Sequence, residues 1–281
     1  MLKRVLTACV LIPLLVLILF FSHTLAYPIA WAILAGIAIF EIFRVLGRGR
    51  DWLLSIPAYL FAVGLPFGFY PFSESASGGY GAKITFAAAL VYLLWVIAVT
   101  VFRRGTFAFS EAASVFTATL YIAVGFAALS AIRYGVALGA YLCLLVFIGP
   151  WVTDTFAYFT GRFFGRHKLI PEVSPKKTVE GSVGGTVFCI VGYIVFGLVM
   201  QFGYGFTVNY AMLAVAGLLV AVISQIGDLI ASLIKREHGI KDYGNIFPGH
   251  GGVMDRFDSV LTTSILLWLL MQIGGGFAFL W

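Results

Sequence analysis

The sequence predicts an all-α, polytopic integral membrane protein, and its composition and hydropathy carry that prediction. Hydrophobic residues make up 61% of the 281-residue chain and charged residues only 11%, whereas a soluble domain carries about 25% charged residues. Several uncharged windows are about 20 residues long, which is enough for a helix to cross a hydrocarbon core of about 30 Å. The alternating pattern of a membrane β-barrel does not occur. Helices are expected, because each segment in lipid must satisfy its own backbone polar groups.

Hydropathy predicts about nine transmembrane helices. The predicted spans are 4–21, 26–43, 52–70, 83–102, 110–131, 136–159, 182–203, 208–233 and 257–280. The first apolar run is expected to remain as a span, because no small-residue cleavage site follows it.

The distribution of basic residues predicts the orientation. With a cytoplasmic N-terminus, sixteen of the eighteen Lys and Arg residues lie on the inner side, and only Lys83 and Arg133 lie outside. This positive-inside bias predicts a prokaryotic-type inner (plasma) membrane protein whose polar loops face the cytoplasm. The net charge of +6 requires no nucleic acid partner, because orientation and an anionic inner leaflet explain it.

The chain is expected to have two regions. Residues 1–133 form an N-terminal transmembrane scaffold of about five helices with plain basic connections. Residues 134–281 form a C-terminal transmembrane region of about four helices, with two cytoplasmic polar loops and acidic residues inside helices, and are expected to carry the chemistry. Cys9, Cys143 and Cys189 lie in apolar runs without disulfide or metal-site spacing, so we interpret them as core residues.

The first polar loop follows Asp154, a carboxylate near the inner end of the sixth predicted span. An ionised carboxylate costs about 2.5–3.5 kcal/mol at the bilayer centre, and less near the surface, unless a cation or water meets it. Farther on lie Arg162 and the segment SPKKT, which contains Ser174, Lys176 and Lys177. Lysines beside a proline-fixed turn and glycines suit a polyphosphate; anchoring to anionic headgroups is the alternative. Neither a Walker A loop nor a Rossmann glycine motif occurs.

Four residues that begin inside the eighth predicted span and extend past its end share one helix face, because they are spaced by 4, 4 and 3 positions. They are Ser224, Asp228, Ser232 and Lys235. A carboxylate inside a span marks a functional site by default. An internal ion pair with a neighbouring helix is the alternative interpretation of Asp228.

The connection that follows ends in PGHGGVMDRFDS, which contains His250, Asp255, Arg256 and Asp258. The two aspartates are three residues apart at the start of the ninth predicted span, near the positive end of its dipole. Helix capping is the alternative for each of them. Together with Asp228 they offer the oxygen ligands that Mg²⁺ shares with substrate phosphates. His250 is interpreted either as a structural residue or as a proton-transfer or phosphate-binding group.

Acidic and basic clusters in the two inner loops suit magnesium-dependent chemistry on phosphates. At this point the sequence shows a resemblance. SLIKREHGIKDYGNIFPGHGGVMDRFD, from Ser232 to Asp258, resembles the signature of the phosphatidate cytidylyltransferase (CDP-diacylglycerol synthase) family. DTFAYFTGRFFGRHKLIP and SPKKTVEG resemble a second region of that family. The resemblance covers about 150–281.

The resemblance implies transfer of CMP from CTP to phosphatidic acid, which gives CDP-diacylglycerol and pyrophosphate in phospholipid biosynthesis. It also implies a requirement for Mg²⁺, a membrane-embedded homodimer, and a pocket open to the cytoplasm and to lipid. Asp228 and Asp255, with Asp258 close by, are expected to hold the metal, and a second cation is expected beside Asp154.

The expected catalytic residues are Asp228, Asp255, Asp258, Lys235, Arg236 and Asp154. The expected substrate-binding residues are Lys176, Lys177, Ser174, Arg162, Lys241, His250, Arg256 and Ser232. The four basic residues Lys176, Lys177, Lys235 and Arg236 are expected to neutralise charge on the triphosphate or the departing pyrophosphate.

Two other functions stay open on the sequence. A CTP-dependent lipid kinase would transfer the γ-phosphoryl group and release CDP instead of pyrophosphate. An ion-coupled transporter would also place acids inside spans, but it would need polar access from both sides, and the outer loops are almost uncharged. The DGxxAR motif of CDP-alcohol phosphotransferases is absent.

Overall fold

The computed structural model describes residues 12–71, 79–273 and 279–280, and the chain is mostly helical. Residues 12–20 are helical. The helices that follow are α1 (Ala26–Val45), α2 (Trp52–Gly64), α3 (Gly79–Phe102), α4 (Phe109–Gly135), α5 (Gly139–Phe164), α6 (Val179–Tyr204), α7 (Tyr210–Glu237) and α8 (Met254–Gln272). A 3₁₀ turn, Leu65–Phe69, continues α2, and an antiparallel hairpin of β1 (Lys168–Ile170) and β2 (Ser174–Thr178) lies between α5 and α6.

Within the described residues, seven helices are long and apolar enough to cross a membrane. They are α1, α2 with its 3₁₀ extension, and α3 to α7, so the second to eighth predicted spans are confirmed as candidate spans. The first prediction, 4–21, lies outside the described residues over 4–11. The ninth, 257–280, corresponds to α8, which is not among the seven because Asp255, Arg256 and Asp258 shorten its apolar part. The protein is thus a helical membrane protein, and nine spans remains a prediction.

The chain forms two compact units, and the first boundary between them lies between Val136 and Ala137. The polar segment Ile240–Arg256 belongs with the first unit, whereas Ala137–Gly239 and the described residues from Phe257 onward form the second. The predicted division into a scaffold, 1–133, and a catalytic region, 134–281, stays a prediction, because compact units do not show where the chemistry lies.

In the first unit, α1 buries one face against α4. The Trp31 and Phe126 rings stack with centroids 6.3 Å apart, and the Tyr27 hydroxyl donates a hydrogen bond to the Leu129 carbonyl at 3.3 Å. Ala35 and Ala38 of α1 are fully buried. Small residues at such positions let helices approach closely in lipid, where packing replaces the hydrophobic driving force.

Two ion pairs tie helix ends together in the first unit. Arg48 contacts Glu111 at 2.5 Å, and Arg103 contacts Asp51. The Glu111 carboxylate also accepts a hydrogen bond from the backbone of Ala108 at 2.8 Å, which caps the start of α4. Some of the basic residues that predicted the orientation therefore also fix the ends of helices.

In the second unit, α5 and α6 pack closely through glycines. Gly181 and Gly185 form a GxxxG pair on α6, and a Cβ at either position would lie 2.7 Å from a backbone oxygen of α5. Thr178, the last residue of β2, caps α6 by accepting a hydrogen bond from the Gly181 amide at 3.1 Å. The hairpin therefore leads directly into α6, which fixes the two lysines of β2 beside the α5–α6 pair.

Candidate active site

An ion pair between Lys177 and Asp228 forms the centre of the polar region in the second unit. Lys177 Nζ lies 2.5 Å from Asp228 Oδ2, and the side chains are only 23% and 31% exposed. The same ammonium lies 3.5 Å from the Gln225 carbonyl, about one turn earlier on α7. Strand β2 therefore places Lys177 against Asp228, the carboxylate that the sequence predicts to lie inside a span.

Asp258 of α8 adds a second carboxylate to this region. Its side chain is buried, and its Oδ1 accepts a hydrogen bond from the Ser259 amide at 2.7 Å. Asp258 interacts electrostatically with Asp228 and, more weakly, with Lys235 and Asp154. Residues of α5 and α7 thus lie close enough to Asp258 of α8 to interact with it, and their common role in a site stays a prediction.

A glycine lets α7 and α8 meet beside the two acids. A Cβ on Gly227 would lie 2.8 Å from the Asp258 carbonyl and would overlap the Thr262 side chain. Gly227 directly precedes Asp228 in α7. Any larger residue there would push α8 away and separate the Asp258 carboxylate from Asp228.

A cavity of about 320 Å³ opens beside the ion pair in the second unit. Its charged lining residues are Asp154, Arg162, Lys176 and Lys177, and its other lining residues include Tyr158, Thr178 and Gln225. Arg162 donates a hydrogen bond to the Tyr158 hydroxyl at 3.0 Å, one helical turn away. Three basic side chains and one acid around one cavity suit a ligand that carries phosphate groups.

The other predicted residues of the second unit lie on the same elements. Ser174 begins β2, and Ser232 and Lys235 lie on the α7 face that carries Asp228. Arg236 is exposed, and its Nε lies 3.5 Å from the Val173 carbonyl in the hairpin turn. The turn of the hairpin is therefore linked to the end of α7.

The segment PGHGG forms a tight loop in the first unit. Gly249 and Gly251 have φ values of 78° and 82°, which favour glycine. The Phe247 amide donates to the Gly251 carbonyl at 2.9 Å, and the His250 amide donates to the Phe247 carbonyl at 2.8 Å. His250 Nδ1 is buried and meets no hydrogen-bond partner among the residues that the structure describes. The backbone of His250 is therefore fixed by the loop, and the burial of its imidazole follows from that position.

Asp255 is also bound to this loop. Its Oδ2 accepts hydrogen bonds from the Tyr243 amide at 2.7 Å and from the Gly252 amide at 2.9 Å. Lys241 and Arg256, predicted to bind substrate, are exposed residues of the same unit. Asp255, His250, Lys241 and Arg256 thus lie in the first unit, and the other predicted site residues lie in the second.

Two charged residues of α1, neither of them among the predicted site residues, hold the chain on either side of this loop. Glu41 Oε1 accepts a hydrogen bond from the Val253 amide at 3.0 Å, and Oε2 accepts one from the Met254 amide at 2.9 Å. Arg44 donates a hydrogen bond to the Tyr243 carbonyl. The signal was present, because a Glu inside an apolar span is unusual without a function.

The donor chemistry of the second unit fits a hard cation. Asp228 and Asp258 are partly or fully buried carboxylates that repel one another, and a divalent cation with oxygen preference would relieve that repulsion. Among the described residues, no group of three or more His, Cys, Asp or Glu side chains is arranged to hold a metal ion. The three-aspartate ligand set therefore stays a prediction. Two carboxylates suit Mg²⁺, which usually takes its other ligands from water and substrate phosphate.

The fold and this site define a helical membrane protein whose charged cavity suits phosphate-bearing ligands. The chain belongs to the cytidylyltransferase family, whose sequence model matches residues 2–274. The match covers the N-terminal helices as well as the two polar regions, so the resemblance found in the motifs is confirmed over almost the whole chain.

Curated relatives agree with this assignment. The chain is 33% identical over 268 residues to the phosphatidate cytidylyltransferase of Staphylococcus haemolyticus, covering 95% of this chain and 98% of that protein. It is 35% identical over 286 residues to the phosphatidate cytidylyltransferase of Bacillus subtilis, covering 96% and 97%. The protein of that name from Staphylococcus saprophyticus is 35% identical over 239 residues, covering 85% and 87%.

Proposed function

We propose that this protein transfers CMP from CTP to phosphatidic acid and forms CDP-diacylglycerol and pyrophosphate for phospholipid biosynthesis. The observation that carries the proposal is the Lys177–Asp228 ion pair beside buried Asp258, at the edge of a cavity lined by further basic residues. The names of the relatives support the same substrates.

The proposed reaction needs charge neutralisation more than a base. A phosphate oxygen of phosphatidic acid attacks the α-phosphorus of CTP, and the bond to the β-phosphate oxygen breaks, so that pyrophosphate departs. Both substrates are anionic, and Lys176, Lys177 and Arg162 would reduce their repulsion. A phosphate monoester is already ionised near neutral pH. The proposed site therefore needs no activated nucleophile of the Ser–His–Asp kind.

We propose Mg²⁺ as the cofactor, held by Asp228 and Asp258, with Asp255 as the third expected ligand. When bound, the metal supplies charge stabilisation to phosphate oxygens on the attacking and leaving sides. Lys177 restrains the Asp228 carboxylate, and the Ser259 amide restrains that of Asp258. A second cation beside Asp154 is part of the proposal, because that carboxylate is exposed in the cavity.

The proposed topology has nine spans, a cytoplasmic N-terminus and an active site that faces the cytoplasm. It is supported by the distribution of Lys and Arg. In a cysteine-free background, a membrane-impermeant thiol reagent added outside intact cells should label K83C but not R166C. Labelling of R166C from outside would overturn the orientation. A homodimer is also proposed, and the mass of the detergent-solubilised protein by light scattering tests it.

The central experiment is an assay of the purified protein in detergent micelles with labelled CTP and phosphatidic acid, with and without Mg²⁺. CDP-diacylglycerol and pyrophosphate are the expected products, and only when Mg²⁺ is present. Free CDP with a newly phosphorylated lipid would identify a lipid kinase instead. Ion flux in liposomes without CTP turnover would identify a transporter. Absence of CDP-diacylglycerol under every metal condition would refute the proposal.

A further inference from the structure

Glu41 is a buried carboxylate within an apolar helix of the first unit. It is 1% exposed, in the segment AILAGIAIFEIF of α1. An ionised side chain in this position is costly unless polar groups compensate it. Compensation comes from the backbone amides of Val253 and Met254, at 3.0 and 2.9 Å from the two carboxylate oxygens.

Met254 is the first residue of α8, and Val253 directly precedes it. The first amides of a helix have no partner within the helix, and a negative charge there is favoured by the helix dipole. Glu41 therefore acts as a cap for α8 that is supplied by another helix. Its two oxygens bond separate amides, so the carboxylate fixes the direction of the chain at Val253 and Met254.

Arg44, nearly one turn farther along α1, holds the other end of the same loop. Its guanidinium donates a hydrogen bond to the Tyr243 carbonyl. The Tyr243 amide in turn donates to Asp255 Oδ2, which also accepts from Gly252. The Asp255 carboxylate is thus bonded to the same short segments that Glu41 and Arg44 restrain.

Gly244 and Gly252 lie directly against the Glu41 carboxylate. A Cβ on either Gly244 or Gly252 would overlap the Glu41 carboxylate. Neither residue has a positive φ, so the backbone conformation does not require glycine at either position. Close approach to Glu41, and not turn geometry, therefore accounts for glycine at these two positions.

We propose that Glu41, assisted by Arg44, is a positioning residue for Asp255: it acts through the backbone of residues 252–254 and touches no substrate. The inference rests on the proposed function, in which Asp255 contributes to the active site. Residue 254 is joined directly to Asp255, so a displaced cap would move the Asp255 carboxylate without removing it. Loss of positioning should lower turnover more than it lowers CTP binding.

The test compares wild type, E41Q, E41D and the control E111Q as purified full-length proteins. E41Q keeps the size of the side chain but places its NH₂ group, a donor, against one of the two backbone amides, which is also a donor. E41D makes the side chain one methylene group shorter. Each should lower kcat about 10–100-fold, as loss of a supporting shell does, with KM for CTP nearly unchanged. E111Q removes the charge from an exposed Glu that also caps a helix by accepting a backbone hydrogen bond, and it should keep wild-type kcat.

A second pair of variants isolates the fit between Glu41 and Gly252. G252A should lower kcat in the wild-type background, because the added methyl group displaces the carboxylate. In an E41A background the methyl group gains room, so G252A should cost less there. Equal fold-changes in the two backgrounds would refute direct coupling between these residues.

Each outcome separates the inference from the proposed function. An active wild type, together with wild-type kcat in both E41Q and E41D, would overturn the inference alone. Loss of activity that follows loss of folded protein, with normal kcat per folded molecule by thermal unfolding and size-exclusion analysis, would show a purely structural role and overturn it as well. An inactive wild type would refute the proposed function and, with it, the inference.

Discussion

Lys177 and Asp228 are 51 positions apart in sequence and 2.5 Å apart in space. The ion pair joins the β-hairpin to α7, and the buried carboxylate of Asp258 lies close enough to Asp228 to repel it. Asp258 also interacts with Lys235, so acids and lysines of the hairpin, α7 and α8 lie in one region. Such a mixture of charges suits a ligand that combines phosphate groups with a divalent cation.

Lys177→Met is expected to abolish most activity. The substitution keeps an unbranched side chain that lacks only the terminal ammonium, and it leaves the partly buried Asp228 carboxylate without its ion-pair partner. Removal of one such electrostatic contact typically costs about 100–1000-fold in kcat. The measurement is CDP-diacylglycerol formation by purified protein.

The matched control for this variant is Lys168→Met. Lys168 is an exposed lysine of β1 in the same hairpin, and its variant should keep near-wild-type activity. Equal losses in the two variants would indicate that only the charge of the hairpin matters, and would contradict the specific role of Lys177.

Asp228→Asn and Asp258→Asn are expected to lose activity while they keep the fold. Each removes one of two neighbouring carboxylates, and the loss should again be about 100-fold or more. Asp258→Asn should also raise the apparent Tm without Mg²⁺, because it removes repulsion from a buried charge; active sites often carry such destabilising pairs. Glu237→Gln, an exposed change on α7, is the control. Normal turnover in either Asp variant would contradict the metal assignment.

Sequence reasoning found the acids of the second unit for a physical reason. Ser232 and Lys235 share a face with Asp228 because helical periodicity alone places them there. Asp154 is selected because a carboxylate near the inner end of a span is costly, and Asp258 because it lies three residues from Asp255 at the start of a predicted span. Both the spacing of residues along a helix and the cost of burying a charge can be read from the sequence alone.

The partners of those acids could not be predicted in the same way. The sequence predicts a loop where β1 and β2 form a hairpin, because strands of three and five residues give little periodic signal. The pairing of Lys177 with Asp228 depends on that hairpin and on the close packing of α5 with α6. The rule that selects Asp154, namely that a carboxylate inside an apolar span is unusual, also applies to Glu41. Glu41 is nevertheless not among the predicted site residues, because the sequence predicts the N-terminal half to be a scaffold.

Removal of metal provides an independent prediction. Addition of Mg²⁺ to the metal-free protein should raise the apparent Tm, by an amount that reflects about 2.7 kcal/mol when the ion is 100-fold above its Kd. The increase should be absent in Asp228→Asn, because the carboxylate that would hold the ion is gone. The measurement is thermal unfolding after chelation with EDTA, with and without added Mg²⁺. An equal increase in the variant would place the ion elsewhere.

Gly181→Ala is expected to destabilise the second unit, whereas Gly203→Ala on the same helix should not. A Cβ on Gly181 would lie 2.7 Å from the Ala157 carbonyl and 2.9 Å from the Thr178 hydroxyl that caps α6. Overpacking of this kind costs about 1–3 kcal/mol, and separation of α5 from α6 would also displace Lys177. A Cβ on Gly203 meets nothing within 4 Å, so alanine there should stabilise the helix by about 0.5–1 kcal/mol. Thermal unfolding and activity of both variants test this, and equal Tm values would contradict the importance of close packing.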